Sequence, residues 1–379
     1  MKKVYELSLT KGYVAHWTVQ DAVREIIQNA IDQEAQIPNN KMSIVYDGEN
    51  ALTISNQASV LNKKALLLGY TSKENDDKTI GKFGEGLKVA LLVLNRLNKK
   101  VTIYNYGKKE VWTSAFKKSK KYEGEEILTV TVETEAIWKK APNDNLSIVI
   151  EGVTKEEYSE IVKRTLLLQE NPKVLNCQNG CQILLDEDKA GCIYVNGLFV
   201  SKSNDFEYGY NMTPSKITIG RDRDLVNEFF LVYETSNMWS QHMSEEYYHL
   251  IENGCKDVSK ISLYKDNTLS SLIYKQFISR YSEDAIAVSS QSEYELFKGE
   301  YETDNIIIVN ELEKELILSS EDYQLKLKSK EKENMSIETR FAIWKKHCKS
   351  EITMTALEQL EELLGEVIDM DQVKSLMNQ

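Results

Sequence analysis

Several classes of protein are excluded by what this chain has little of. Proline occurs 4 times and glycine 17 times in 379 residues, which removes collagen-like, proline-rich and glycine-linker architectures. No apolar run exceeds Val89-Ala-Leu-Leu-Val-Leu94, far short of the roughly 20 residues that span a bilayer, so no membrane partner is expected. Met1-Lys-Lys-Val-Tyr-Glu-Leu7 has lysines but no apolar stretch behind them, unlike a secretory leader. Four histidines form no His-Glu-x-x-His pair, which leaves a zinc hydrolase without support. Five cysteines (Cys177, Cys181, Cys192, Cys255, Cys348) make an odd, scattered set that favours a reducing, cytoplasmic setting. Cys177-x-x-x-Cys181 with Cys192 lacks both the usual pair spacing and the neighbouring histidine of a zinc site.

What is present is globular: 41% hydrophobic and 28% charged residues. Lys+Arg 47 against Asp+Glu 59 gives a net charge of −12, so contact with nucleic acid needs a local basic patch rather than bulk attraction. Lys117-Lys118-Ser-Lys120-Lys121 is the densest basic run, and it reads as a solvated hairpin end. The length predicts two or three domains. Composition and turn signals place them at 1–170, 171–265 and 266–379, the last an α/β region ending in helices.

The pattern predicts a helix over 18–36, with Thr18 as N-cap, Asp21 in its first turn and Pro38 ending it. A hairpin follows, Met42–Tyr46 and Leu52–Ser55 around Asp47-Gly-Glu-Asn. A short helix over Leu61–Gly69, a polar loop over Thr71–Thr79 and a helix over Gly84–Leu97 come next. Strands are expected at Val101–Tyr106, Val111–Phe116, Ile127–Glu133 and Leu146–Ile150. Helices before an antiparallel sheet argue for an α+β domain with helices on one face. Further on, Gly191–Val200 and Lys216–Ile219 read as strands, Glu228–Met243 as a helix, and Thr353–Met377 as a helical tail with Leu357, Leu360, Leu364 and Val367 on one face.

Two segments carry chemistry. In Glu25-Ile-Ile-Gln-Asn29-Ala-Ile-Asp32, steps of four and three put Glu25, Asn29 and Asp32 on one helix face, while Ile26, Ile27 and Ile31 point elsewhere. Carboxylate, amide and carboxylate on one stripe can orient water and magnesium, a hard cation that prefers oxygen ligands; an ordinary helix with a polar outer face has the same pattern. In Thr79-Ile-Gly81-Lys82-Phe83-Gly84-Glu85-Gly86-Leu87-Lys88, glycines ahead of a helix let backbone approach an anion, toward which the first-turn N–H groups and the dipole point. Lys73, Lys82 and Lys88 add positive charge. The glycine turn is neither a P-loop nor a Rossmann fingerprint, and a plain helix-leading turn accounts for it equally well in isolation.

The order of these pieces resembles the GHKL ATPases, the superfamily of gyrase-type topoisomerases, heat-shock chaperones, histidine kinases and MutL-type proteins. Glu25-Ile-Ile-Gln-Asn29-Ala-Ile-Asp32 is similar to its first motif. Thr71-Ser72-Lys73 and Thr79-Ile-Gly-Lys-Phe-Gly-Glu-Gly-Leu87 resemble the MutL and MORC branches most, and the match covers about the first 100 residues. The resemblance implies a Bergerat-type ATPase domain, an antiparallel or mixed sheet covered by helices, that binds ATP and magnesium. It implies Glu25 as the general base, Asn29 as the magnesium ligand and Gly81–Lys88 as the phosphate cradle. Thr71, Ser72 and Lys73 would belong to a lid over Thr71–Thr79.

One departure stands out. The family's Asp-x-Gly-x-Gly motif is replaced by Asn56-Gln-Ala58-Ser-Val60, with Asn56 where the adenine-reading aspartate belongs. An amide oxygen still accepts a hydrogen bond, without charge and so more weakly. Ile193-Tyr-Val-Asn-Gly-Leu-Phe-Val200 resembles the MutL-type transducer strand. Lys216, Arg221 and Arg223 are then candidate γ-phosphate sensors, although Arg221-Asp-Arg-Asp224 also suits a surface ion-pair cluster. The expected activity is a nucleotide-driven ATPase that closes a lid and forms a homodimer or rearranges its domains, acting on a protein or nucleic-acid client. The rival is a non-hydrolysing scaffold that retains the nucleotide fold. A histidine kinase is a distant third, because no phosphoacceptor motif surrounds a histidine.

Overall fold

The structure is a computed structural model that describes residues 1–67, 69, 79, 84–136, 145–217, 220, 228–300, 305–334, 337, 341, 342, 344, 345, 353–365 and 368–377. The chain divides into two compact units, Met1–Gln241 and His242–Gln379, where the sequence reading draws boundaries at 170 and 265.

The first unit is built on β1 (Lys2–Thr10), β2 (Met42–Tyr46), β3 (Ala51–Asn56), β4 (Lys100–Asn105), β5 (Glu110–Lys118), β6 (Glu126–Thr134) and β7 (Leu146–Glu151). They form one antiparallel sheet in the order β1-β6-β5-β4-β7-β3-β2. Register lines up Ile54, Ile148, Ile103, Trp112 and Val132 across five strands, all buried. The opposite face carries Thr53, Val149, Thr102, Thr113 and Thr131. Such two-faced alternation is that of an antiparallel sheet covered on one side. The covering elements are α1 (Val19–Gln36), α2 (Gly86–Arg96) and α3 (Lys155–Lys163); α1 packs on α2, α3 and β3, and α2 on β4 and β5. Val89 to Leu94 are all buried, so the apolar run is the middle of a core helix.

Local chemistry sets the ends. Thr18 caps α1 in a reciprocal capping box with Asp21, and Ile37, forced out of the helical region by Pro38, closes it at φ −110°, ψ 118°. The β2–β3 turn is held by Asp47 Oδ1, which accepts from the N–H groups of Glu49, Asn50 and Ala51 at 2.8, 2.9 and 3.0 Å. The basic run 117–121 lies at the β5–β6 hairpin end, as expected. The short helix expected over Leu61–Gly69 is a single 3-10 turn, Lys63–Leu66. Strand β1 has no counterpart in the sequence reading. It is an edge strand, and its mixed pattern of exposed lysines with Leu7 and Leu9 inside hides its period.

A second sheet in the same unit has the order β11-β10-β12-β9-β8, from β8 (Val174–Asn176), β9 (Gln182–Leu184), β10 (Cys192–Val195), β11 (Leu198–Lys202) and β12 (Gly209–Met212). Only β10–β12 is parallel. Helix α4 (Glu228–Ser240) follows. Gly191–Val200 is thus not one strand but a hairpin through Asn196-Gly197, and Lys216 stands in a turn instead of beginning a strand. Residues 164–199 stitch this sheet to α3: Leu166 N–H donates to Gly197 O at 2.8 Å, Phe199 N–H to Arg164 O at 2.9 Å, and Tyr194 Oη–H to Lys163 O at 3.2 Å. Leu166 also packs on Leu184, Cys192 and Tyr194. The thiols of Cys177, Cys181 and Cys192 are free and buried, and burial pushes all three up, Cys177 to about 12. Among the described residues no group of three His, Cys, Asp or Glu side chains could hold a metal.

The second unit is mainly helical: α5 (His249–Glu252), α6 (Asn267–Arg280), α7 (Gln291–Glu300), α8 (Glu311–Leu318), α9 (Glu321–Asn334), α10 (Met354–Leu364) and α11 (Met370–Met377). Strands β13 (Ile286–Val288) and β14 (Ile306–Ile308) pair in parallel, with α7 between them in sequence. Ile286, Val288 and Ile306 pack with Tyr294 and Phe297 of α7. The expected helical tail consists of two helices, with Gly365 capping the first; Leu360 and Leu364 pack on the core of Phe341, Ala342, Ile368 and Val373. No described helix is long and apolar enough to cross a membrane.

Candidate functional site

Helix α1 turns a polar patch inward. Glu25 is 1% exposed and Asp32 is fully buried, so the stripe is not the solvated outer face of an amphipathic helix. Gln28, three residues from Glu25 and four from Asp32, belongs to the same patch and is equally buried. Its side-chain carbonyl oxygen has no hydrogen-bond partner among the described residues. Ile26 and Ile27 enter the core as expected, while Ile31 is half-buried. Asn29 is half-buried; burial of three polar side chains on one helix stretch is unfavourable in a purely structural role, which is why such groups concentrate at functional sites.

What the patch faces is the start of α2. A Cβ built on Gly86 would collide with Glu25 Oε2 and would lie 3.5 Å from Glu25 Cδ and 3.7 Å from Asn29 Nδ2. A side chain at this position therefore forces the Glu25 carboxylate to shift. The acid, the amide and the first residue of α2 meet at one place. The cap residue of α2, Glu85, makes no side-chain cap hydrogen bond, and Gly84 before it is left-handed at φ 66°. The first N–H groups of a helix have no intrahelical partner, so this terminus has donors and a positive dipole end beside two oxygen-bearing side chains. Leu87, next in the chain, is half-buried.

Asn56, at the end of β3, is buried and donates from Nδ2 to Ala30 O at 3.1 Å. It is thereby fastened to α1 one residue beyond Asn29. The altered stretch after it is also tied to α1. Asn40 Oδ1 accepts from Ala58 N–H at 2.8 Å, and Asn40 Nδ2 donates to Gln33 O and Ser59 Oγ, both at 2.9 Å. Val60 packs so closely on Gly107 that a Cβ there would lie 2.8 Å from Val60 Cγ2. Asn105 holds Leu61 through both of its backbone groups, and Glu110 accepts from Trp112 Nε1 at 3.0 Å while pairing with Lys63 at 2.9 Å. Burial pushes the Glu110 carboxyl up, but the bonds from Lys63 and Trp112 outweigh it and hold it below the usual range.

Lys88 differs from its expected role. It is 1% exposed and donates from Nζ to Ala65 O at 2.9 Å and to Gly84 O. Its charge is thus turned to backbone carbonyls within the protein, and desolvation drops its pKa to about 8 despite Glu85 nearby. Lys216 pairs with Glu234 of α4 at 3.5 Å. Thr71, Ser72, Lys73, Gly81, Lys82, Phe83, Arg221 and Arg223 lie outside the described residues. Sequence reasoning missed Gln28, whose position between two stripe residues is the one available signal, and it missed the steric demand on Gly86.

The comparisons with known proteins cover parts of the chain. The family model described as Mycoplasma pneumoniae MPN635 N-terminal domain matches residues 156–245, the stretch that holds the second sheet and α4 and well short of half the chain. An uncharacterized protein of Mycoplasma pneumoniae (strain ATCC 29342 / M129 / Subtype 1) is 27% identical over 208 residues, which is 53% of this chain and 81% of the relative. Among solved structures, the B-subunit of the DNA gyrase from Myxococcus xanthus aligns over 55% of this chain and 84% of that chain at 9% identity. Its TM-score is 0.29, too low to assign a common fold.

Proposed function

We propose that this chain is a magnesium-dependent ATP-binding protein and an ATPase of the GHKL type, with a Bergerat-type domain followed by a transducer-like one. In this reading, nucleotide binding closes residues 71–79 and drives homodimerisation or domain rearrangement on a protein or nucleic-acid client. The observation that carries it is the inward polar stripe of α1, buried at Glu25, Gln28 and Asp32 and half-buried at Asn29, with Glu25 and Asn29 set against Gly86 at the N-terminus of α2. Two oxygen-bearing side chains beside a helix N-terminus, with two more on the same helix face, are a donor set suited to a hard cation next to an anion.

Each residue then has a task. Asn29 would hold magnesium through its amide oxygen, and the ion would supply charge neutralisation for bound phosphates. Glu25 accepts the proton of the attacking water. Asp32 and Gln28 orient solvent along the stripe. The backbone from Gly81 through Lys82, Phe83, Gly84, Glu85, Gly86 and Leu87 receives phosphate oxygens, with Thr71, Ser72 and Lys73 in the lid. Asn56, its Nδ2 committed to Ala30 O, offers Oδ1 to the exocyclic amino group of the base. Lys216, Arg221 or Arg223 senses the γ-phosphate.

A second reading, a nucleotide-fold scaffold without turnover, is favoured by the neutral Asn56 and by the glycine-free stretch after it, which is bonded to Asn40. The test is ATP binding by calorimetry, with and without magnesium, and phosphate release by wild type, Glu25→Ala and Asn29→Ala. Binding kept but turnover down by about 10²–10⁴-fold in Glu25→Ala supports the enzyme. Binding without turnover in either protein supports the scaffold, and no binding by the wild type removes both.

A further inference from the structure

Lys88 stands at the third residue of α2, among the glycines and lysine that the sequence assigns to an anion. Its side chain is among the largest fully buried ones in the chain. It donates to the carbonyls of Gly84 and Ala65, one on each side of the stretch 66–83. Gly84 is left-handed and lies two residues before Gly86, the residue against which Glu25 and Asn29 are packed. The carbonyl that Lys88 grips thus belongs to the turn that decides how near α2 comes to the acid and the amide. On the other side, Ala65 belongs to the 3-10 turn Lys63–Leu66, itself anchored where Lys63 pairs with the buried Glu110. An ammonium ion with two carbonyl acceptors and almost no solvent exposure is satisfied from within the protein. Swinging it to a ligand would leave two carbonyls without their donor.

We infer that Lys88 is a positioning residue of the proposed nucleotide site: it fastens the Gly84 turn to the 3-10 turn at Ala65, and so holds Gly86 against Glu25 and Asn29, instead of giving its charge to a phosphate. The inference rests on the proposed function for what the site does, but the fastening itself is a property of the ligand-free chain. A direct phosphate contact would need Lys88 reachable from solvent before binding and shielded after it. A fastener is shielded in both states, and its removal loosens two backbone segments that are far apart in sequence.

The test uses the full-length protein. Native wild type is treated with an amine-acylating reagent, with and without ATP and magnesium, and labelling is read lysine by lysine by mass spectrometry. Lys88 is expected to stay unlabelled in both states; labelling in the free protein that ATP suppresses overturns the inference. Amide hydrogen exchange of the ligand-free chain is then compared between wild type and Lys88→Met, which keeps the apolar stem. Exchange at residues 63–67 and 84–88 should rise about tenfold or more together, and unchanged exchange at both overturns the inference. In binding measurements, Lys88→Met should weaken ATP and ADP by the same factor, whereas a phosphate ligand would penalise ATP more. Should the wild type bind no nucleotide, the proposed function fails while labelling and exchange still decide the role of Lys88; should Lys88→Met not fold, the wild-type labelling decides alone.

Discussion

Replacing Gly86 by alanine asks the sharpest question of this site. Gly86 is the first residue of α2, and its backbone conformation suits any residue. On propensity alone, alanine should stabilise a helix by about 0.5–1 kcal/mol. Here the added methyl meets Glu25 Oε2 and comes within ordinary contact of Glu25 Cδ and Asn29 Nδ2. The carboxylate is the far end of a flexible side chain, but it is buried and has little room to retreat. Overpacking of this kind costs about 1–3 kcal/mol, so the net result is destabilisation of about 1 kcal/mol or a little more. The assay is urea unfolding of four proteins: wild type, Gly86→Ala, Glu25→Ala and the double variant. With Glu25 shortened the obstacle is gone, and Gly86→Ala should change sign and stabilise by about 0.5 kcal/mol. The coupling should therefore be about 1–2 kcal/mol, within the range found for residues in contact. Activity should suffer more than stability, because displacing a reacting group by about 1 Å costs roughly 100-fold. Additive changes in the cycle, with Gly86→Ala stabilising in both backgrounds, would refute the packing of Glu25 on α2.

Two other perturbations have definite outcomes. Arg96 donates to the carbonyls of Lys11, Tyr13, Val14 and Trp17 at 3.0–3.2 Å, clasping a loop in which Val14 is left-handed at φ 46°. Arg96→Ala should cost about 2 kcal/mol in denaturant unfolding, part of the loss being offset by relief of strain at Val14, and limited proteolysis should cut within residues 11–17 first. Lys88 has a folded-state pKa of about 8, below its ordinary value of 10.5. The unfolded chain therefore binds more protons between these values, and stability should rise from pH 8 to pH 10.5 by up to about 3 kcal/mol relative to Lys88→Met. Parallel stability–pH curves for the two proteins would show that the ammonium is not buried.

Much of the first unit was legible because its signals are local. The capping box of α1, the stop at Ile37-Pro38 and the Asp47 turn each need only a few neighbouring residues, and their bounds agree with the pattern. The strands β4 to β7 show their alternation because one face is covered. Strand β1 was not legible, since its pairing with β6 joins residues more than a hundred positions apart. A turn-rich stretch looks like a linker, yet Leu166 and the backbone bonds of Arg164 and Gly197 bind the second sheet to α3.

The sequence by itself determined that Glu25, Asn29 and Asp32 share a helix face and that a glycine turn opens the next long helix, because helix period and backbone freedom are properties of neighbouring residues. It left open which way that face points, since a polar stripe reads alike whether it meets water or a partner helix. Tertiary packing decided it: α1 and α2 approach so closely that a side chain at Gly86 would meet the Glu25 carboxylate, and the acid is buried with the amide half-buried beside it. Packing also decided the fate of Lys88, whose charge the sequence would lend to an anion and the fold spends on two carbonyls. A side chain's partners are set by what the rest of the chain brings within hydrogen-bond reach, and the order of residues does not contain that distance.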